Sequence, residues 1–429
     1  MFKNTNEKNS ALWARREKAI PRGIGSMHQR FSVKAKNAEL WDADGNRYID
    51  FATGIAVTNT GHGDPRITEA VKAQIDDFSH TCFQVTPYES YVALAEKLNG
   101  LAPGDTPKKT IFLSTGAEAV ENAIKIARAA TKRTGVIAFK GGFHGRTMMG
   151  MALTGKVAPY KMGFGTNIPS IYHAPYPVPY HGVTEEVSLE AIADIFKSDI
   201  AAEDVAAIIL EPVQGEGGFY AASPSFMKAL RRLCDEHGIL LICDEIQTGF
   251  ARTGKLFATE HSGVEPDLMT IAKAMAGGFP ISGVIGKADV MDAALPGGLG
   301  GTYGGSPIGC VAGLTVLEII EEDNLCARAD AIGALFTKRL KAIRDAGAVE
   351  IGEIRNCGAM IAIEIVQNGD VDKPDPARTG SIVKAAADKG LILLSCGIRG
   401  NVIRFLPALS ASDEILLEGL QILEEVIAN

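Results

Sequence analysis

From about residue 110 to residue 286 the chain alternates short apolar, β-branched runs with segments of helical period. The runs at 110–114, 135–139, 205–210, 239–243, 268–271 and 282–286 predict strands, and 117–131 and 225–237 predict helices between them. Uninterrupted apolar strands separated by helices argue for a largely parallel sheet covered on both faces. After residue 307 the pattern changes. A long helical region is expected over 308–346, strands near 359–366 and 402–406, and a closing helix from Asp413. Near the start, 40–42 and 47–51 read as a hairpin around Asp44-Gly45. The expected organisation is an N-terminal segment (1–62) joined to a small α+β domain (311–429), with a large domain (63–310) between them.

Length and composition narrow the class. The 429 residues are 46% hydrophobic and 22% charged, as in ordinary globular proteins. A net charge of −8 argues against a nucleic-acid surface. Seven widely spaced cysteines, with no Cys-x-x-Cys pair, suggest neither a disulfide framework nor a zinc site. Residues 1–23 have no apolar core for a secretory signal, and no apolar run approaches the length of a membrane span, so the cytoplasm is the expected location.

The candidate chemistry gathers where the predicted strands end, which is where open α/β sheets bind ligands. Lys273 follows the run 268–271 and precedes Gly277-Gly278-Phe279-Pro280, and Asp244 closes the run 239–243. An amine able to join a carbonyl and an acid able to pair with a pyridinium nitrogen are what a pyridoxal phosphate enzyme needs. Taken alone, Lys273 reads as a surface lysine, which is what most lysines are, and only the neighbouring motifs reverse that reading. Ser114-Thr115-Gly116-Ala117-Glu118 follows a strand and opens an amphipathic helix, with Thr115 and Glu118 as a capping box. Its small residues leave N–H groups free for a phosphate, although an ordinary capped helix has the same sequence. In Gly141-Gly142-Phe143-His144-Gly145-Arg146, Phe143 offers a flat face and Arg146 a bidentate grip on a carboxylate. His144 is either part of the site or a satisfied structural histidine.

Glu211 and Glu216 lie in a glycine-rich loop after the run 205–210. No histidine cluster accompanies them, so a metal is not expected, and Glu216 reads as the countercharge of an arginine. Arg404 stands inside an apolar strand and must face a carboxylate, either on a substrate or on the protein itself. The spacing Gly249 to Gly254-Lys255-Leu256 imitates a nucleotide-binding loop. Leu256 occupies the place of the magnesium-binding hydroxyl, and the nucleotide reading is rejected.

Together these segments, from Ile20-Pro21-Arg22-Gly23 through Phe51–His62 and the motifs above to Arg404, resemble the class III aminotransferases. These are pyridoxal phosphate enzymes of fold type I, with a large domain around a mostly parallel sheet and a smaller α+β domain. Within the family the likeness is greatest to members that move the amino group of 4-aminobutyrate onto 2-oxoglutarate, giving glutamate. The resemblance implies that Lys273 carries the cofactor and shuttles a proton, and that Asp244 keeps the pyridinium nitrogen charged. It implies that Gln247 meets the phenolic oxygen and that Ile246 and Phe143 enclose the ring. Gly116, Ala117 and a Thr302 supplied by the partner subunit would bind phosphate, with His144 and Glu211 nearby. Ala117 departs from the serine of many relatives, so backbone N–H groups must serve there.

For substrates the resemblance implies Arg146 for the distant carboxylate, Arg404 for the α-carboxylate of glutamate, Glu216 as the switch that neutralises Arg404, and an apolar Ile55. A homodimer or dimer of dimers with active sites at the interface is expected, without nucleic-acid or membrane partners. The alternatives are 5-aminovalerate or (acetyl)ornithine as donor, or an aminomutase of the same family.

Overall fold

A computed structural model of the protein describes residues 6–165 and 168–428. Its centre is a seven-stranded sheet whose strands we number in chain order. They are β1 (Lys108–Leu113), β2 (Gly135–Phe139), β3 (Ile171–Ala174), β4 (Val205–Leu210), β5 (Leu240–Asp244), β6 (Leu268–Ile271) and β7 (Ser282–Lys287). Their spatial order is β1-β7-β6-β5-β4-β2-β3, with only β7 antiparallel to its neighbours.

Every residue of β2 and β4 is buried, because successive side chains enter cores on opposite faces. Val136, Ala138, Ala207 and Ile209 pack against Ala119, Val120, Ala123 and Ala127 of the helix Gly116–Thr131. Ile137, Phe139, Ile208 and Leu210 meet Phe226, Met227, Leu230 and Cys234 of the helix Pro224–His237. Strands apolar throughout are thus explained by two covered faces.

A second, antiparallel sheet joins Ile351–Cys357, Met360–Gln367, Val402–Phe405 and Leu394–Cys396 in that order, with Asp370–Pro374 on Met360–Gln367. The N-terminal hairpin forms as expected between Glu39–Asp42 and Arg47–Asp50. Asp42 stabilises its turn by accepting the N–H groups of Asp44 and Asn46 at 3.0 and 2.8 Å. Leu391–Ile392 lies parallel to Arg47–Asp50, so the two ends of the chain share a sheet.

Several expectations need correction. The helical region 308–346 is two helices, Pro307–Glu322 and Leu325–Asp345, broken where Asn324 adopts a left-handed φ of 49°. Ile351–Cys357 and Ile171–Ala174 are strands that the apolar pattern missed, and Glu7–Ala19 is a helix. Among the described residues, no helix is long and apolar enough to cross a membrane.

Candidate active site

The loops after β1, β2, β4, β5 and β6 converge on one cavity of about 320 Å³. Gly116, Ala117, Phe143, His144, Glu211, Glu216, Asp244, Ile246, Gln247 and Lys273 all line it. The parallel register accounts for this convergence, since strands running the same way deliver their ends to the same rim.

Lys273 opens a short turn after β6 with φ of 47°, a left-handed conformation that costs a non-glycine residue about 1 kcal/mol. Such strain is held by its surroundings, here β6 on one side and Gly277-Gly278 on the other. Its amine makes no ion pair or hydrogen bond with the described residues. Burial lowers its pKa, against the pull of Asp244, Glu211 and Glu216. A lysine so placed gives up its proton more readily than one in water.

Asp244 is fixed from three directions. Its Oδ1 accepts from Thr270 Oγ1 at 2.9 Å and from the Ile246 N–H at 3.2 Å, while His144 Nδ1 lies 2.7 Å from its Oδ2. Thr270 stands directly across the β5–β6 register from Asp244. Burial works against charge on His144, but the hydrogen bond to Asp244 and the nearby carboxylates outweigh it and raise the ring's pKa. Glu211 is likewise occupied, accepting the N–H groups of Phe143 and Gly215 at 2.9 and 3.0 Å. Burial pushes its carboxyl up to about 7. Glu211 therefore ties two cavity loops together.

The capping box at the head of the helix Gly116–Thr131 is complete. Glu118 accepts the N–H groups of Ser114 and Thr115, each at 2.9 Å, and Thr115 Oγ1 accepts that of Glu118 at 3.3 Å. The N–H groups of Gly116 and Ala117 have no partner among the described residues and border the cavity. A Cβ on Gly116 would stand 3.0 Å from Ile246 Cδ1. Gly145, at φ +114°, packs so closely on this turn that a Cβ there would lie 2.9 Å from that of Ala117. A small residue at 117 is thus matched to the loop that crosses it.

On the adjoining wall, Arg404 Nη1 and Glu216 Oε1 form an ion pair at 2.7 Å, and Tyr160 donates to Glu216 Oε2 at 3.1 Å. Burial alone would raise the Glu216 pKa, but the adjoining Arg404 charge and the Tyr160 hydrogen bond hold it below the usual value. The Arg146 guanidinium rests 4.9 Å from the Tyr160 ring centroid.

Four expected site residues do not border the cavity itself: Arg404 and the exposed Arg146 adjoin it through Glu216 and Tyr160, while Ile55 and Thr302 stand apart in the single chain. Ile55, 41% exposed, lies in a left-handed run from Thr53 to Ala56, and Val57 rather than Ile55 lines the cavity. Thr302 is exposed and does not border it. Conversely, the sequence reading missed Thr270 and Tyr160. A threonine inside the apolar run 268–271 was a usable signal, whereas nothing around Tyr160 distinguished it.

The cavity suits a flat pyridine aldehyde bearing a phosphate. Phe143 and Ile246 supply apolar surfaces, the unpartnered Gly116 and Ala117 N–H groups at a helix N-terminus would take a phosphate, and a fixed carboxylate and an unpaired amine border the same space. Gln247 also lines the cavity, and its Oε1 is buried without a hydrogen-bond partner among the described residues.

Comparison with known proteins agrees with this geometry. The family model for class III aminotransferases matches residues 20–427. The 4-aminobutyrate aminotransferase of Escherichia coli K12 is 55% identical over 97% of this chain and 98% of its own. A 5-aminovalerate aminotransferase of Pseudomonas aeruginosa is 54% identical over 97% and 98%. A solved aminotransferase of Bacillus anthracis superposes with a TM-score of 0.90 at 29% identity, covering 100% of this chain and 99% of that one. The chain belongs to the class III aminotransferases and is a pyridoxal phosphate-dependent transaminase.

Proposed function

We propose that the enzyme moves the amino group of 4-aminobutyrate to 2-oxoglutarate, yielding succinate semialdehyde and glutamate. The observation that carries this reading is the buried Glu216–Arg404 pair beside Lys273. 4-Aminobutyrate has no carboxylate on its amine-bearing carbon, whereas glutamate has one. A site serving both must neutralise the α-carboxylate arginine in one half-reaction and release it in the next. A carboxylate already bonded to that arginine does so.

The cofactor, once bound, supplies the electron sink for carbanion chemistry. On this reading Lys273 would hold it covalently, and its freed amine would move the proton at the substrate's reacting carbon. Asp244, oriented by Thr270 and His144, favours a protonated ring nitrogen. The free Gly116 and Ala117 N–H groups would bind the cofactor's phosphate at a helix N-terminus, Phe143 and Ile246 would enclose the ring, and Gln247 would meet its phenolic oxygen. Arg146 holds the carboxylate distant from the reacting amine.

Thr302 completes the phosphate site from a partner subunit. In support, Thr302 lies near exposed Leu295 (82%) and Tyr303 (67%), with Val85 (77%) brought alongside where Gln84 donates to the Leu299 carbonyl at 3.1 Å. An apolar surface of this kind fits a homodimer interface. The same interface would cover Ile55. The enzyme so assembled works in the cytoplasm.

A donor panel against 2-oxoglutarate tests the proposal. 4-Aminobutyrate should be turned over fastest, with ornithine and acetylornithine slow. The 5-aminovalerate reading draws on the 54% identical relative. It prevails if the five-carbon donor wins by about tenfold, the discrimination one methylene allows. Turnover without an added oxo acid would instead indicate an aminomutase.

A further inference from the structure

The two arginines assigned to substrate carboxylates come from different parts of the fold. Arg146 follows β2, and Arg404 belongs to the strand Val402–Phe405 of the second sheet. A single side chain touches the machinery of both. Tyr160 is 8% exposed and sits in the irregular stretch after the helix Met148–Leu153. Its hydroxyl donates to Glu216 Oε2 at 3.1 Å, while the other oxygen of Glu216 meets Arg404 at 2.7 Å. Its ring lies under the Arg146 guanidinium, 4.9 Å from the centroid, and meets Phe143 edge-on at 5.0 Å. Among the described residues Arg146 makes no hydrogen bond or ion pair, so this ring is its seat.

We propose that Tyr160 is a positioning and specificity residue: its hydroxyl latches Glu216 onto Arg404, and its ring seats Arg146. This rests on the carboxylate assignments proposed above. The argument turns on bond counting at Glu216. With one oxygen on Arg404 and the other on Tyr160, the carboxylate is held at both ends. An incoming α-carboxylate must displace it from Arg404 against both restraints. A ligand with a single carboxylate goes to Arg146 and leaves the latch closed. Tyr160 therefore acts against dicarboxylates through its hydroxyl, and in favour of every carboxylate ligand through its ring.

The two functions separate in two variants. Tyr160→Phe removes the hydroxyl and keeps the ring, while Tyr160→Leu removes both. The holoenzyme is titrated with butyrate and with glutarate, unreactive acids of one and two carboxylates, and the cofactor absorption or heat of binding is followed. In Tyr160→Phe, glutarate should bind roughly tenfold more tightly, about the worth of one hydrogen bond to a charged group, with butyrate unchanged. In Tyr160→Leu, butyrate should weaken several-fold as Arg146 loses its seat. In a Glu216→Ala background the hydroxyl has nothing to hold, so adding Tyr160→Phe should leave glutarate affinity where it was.

Equal changes for both acids, or an undiminished effect of Tyr160→Phe without Glu216, would overturn the proposal. These titrations involve no turnover. Failure of wild-type enzyme to consume 4-aminobutyrate would sink the donor assignment, whereas an unchanged glutarate-to-butyrate ratio in Tyr160→Phe would sink the latch alone.

Discussion

The floor and the wall of the cavity are built to different rules. On the floor, Asp244 ends a strand and receives bonds from Thr270, Ile246 and His144, and Glu211 clamps two loops through their backbone N–H groups. Lys273 is held by a left-handed turn at the end of β6. On the wall, Arg146 rests on a ring, and Glu216, in the loop after β4, forms an ion pair with Arg404 of the second sheet. Groups that act on reacting atoms need one fixed geometry. Groups that must accept two substrates of different charge need an arrangement that can be exchanged. Changes to the floor should therefore damage both half-reactions alike, and changes to the wall should separate them.

The largest effect is expected at Lys273. Lys273→Ala should lower turnover of every donor by about 10⁴-fold or more, because covalent attachment and proton transfer are lost together. Single-turnover rates with 4-aminobutyrate and glutamate should fall in parallel, and a variant that spared either donor would break the comparison. Next comes Asp244→Asn, which on the proposed reading would remove the charge meant for the ring nitrogen while keeping the shape. Both half-reactions should slow by about 10²–10³-fold, in the range for loss of one preorganised electrostatic contact. A loss confined to one donor would place Asp244 on the wall instead.

Glu211 tests whether the floor's rigidity is itself sensitive to pH. Burial raises its pKa from 4.5 to about 7, so between those values the folded chain holds a proton that the unfolded chain has released. Its contribution to stability is fully present below about pH 4.5 and is lost as pH rises through 7. Wild type should thus lose about 3 kcal/mol more than Glu211→Gln between those limits. Urea unfolding at the two pH values measures this, and equal losses in the two proteins would count against the buried acid.

The same division governs what could be read from the sequence. The floor was legible because strands buried on both faces are continuously apolar, and a polar residue at their ends stands out. β2, β4 and β6 begin and end where their apolar runs do. Ile171–Ala174 was missed because this edge strand carries half-buried Tyr172 and His173. Ile351–Cys357 was missed because Glu353 and Arg355 interrupt it, and those charges answer each other and Glu364 in space. The helix break at Asn324 has no glycine or proline to announce it. Glu7–Ala19 is so polar that its helical period is faint. On the wall, Arg404 was conspicuous as a charge in an apolar strand, and Glu216 was legible as an arginine's countercharge; the fold pairs the two. Tyr160 lies in a stretch with neither period nor motif, and only the folded chain brings it to Glu216.

The smallest expected effect is also the one that most sharply separates wall from floor. In Glu216→Ala, Arg404 keeps its charge and loses its only ion-pair partner among the described residues. A buried guanidinium without a countercharge is costly, and the cost falls in whichever state leaves it bare. With 4-aminobutyrate bound nothing replaces Glu216, so that half-reaction should slow. With glutamate bound, the α-carboxylate supplies the missing charge and need not displace a competitor, so that half-reaction should hold its rate. The ratio of the two single-turnover rates should shift by about tenfold toward glutamate, the scale of one charged hydrogen bond. Equal slowing would mean that Glu216 merely braces the cavity, and the wall would then obey the same rule as the floor.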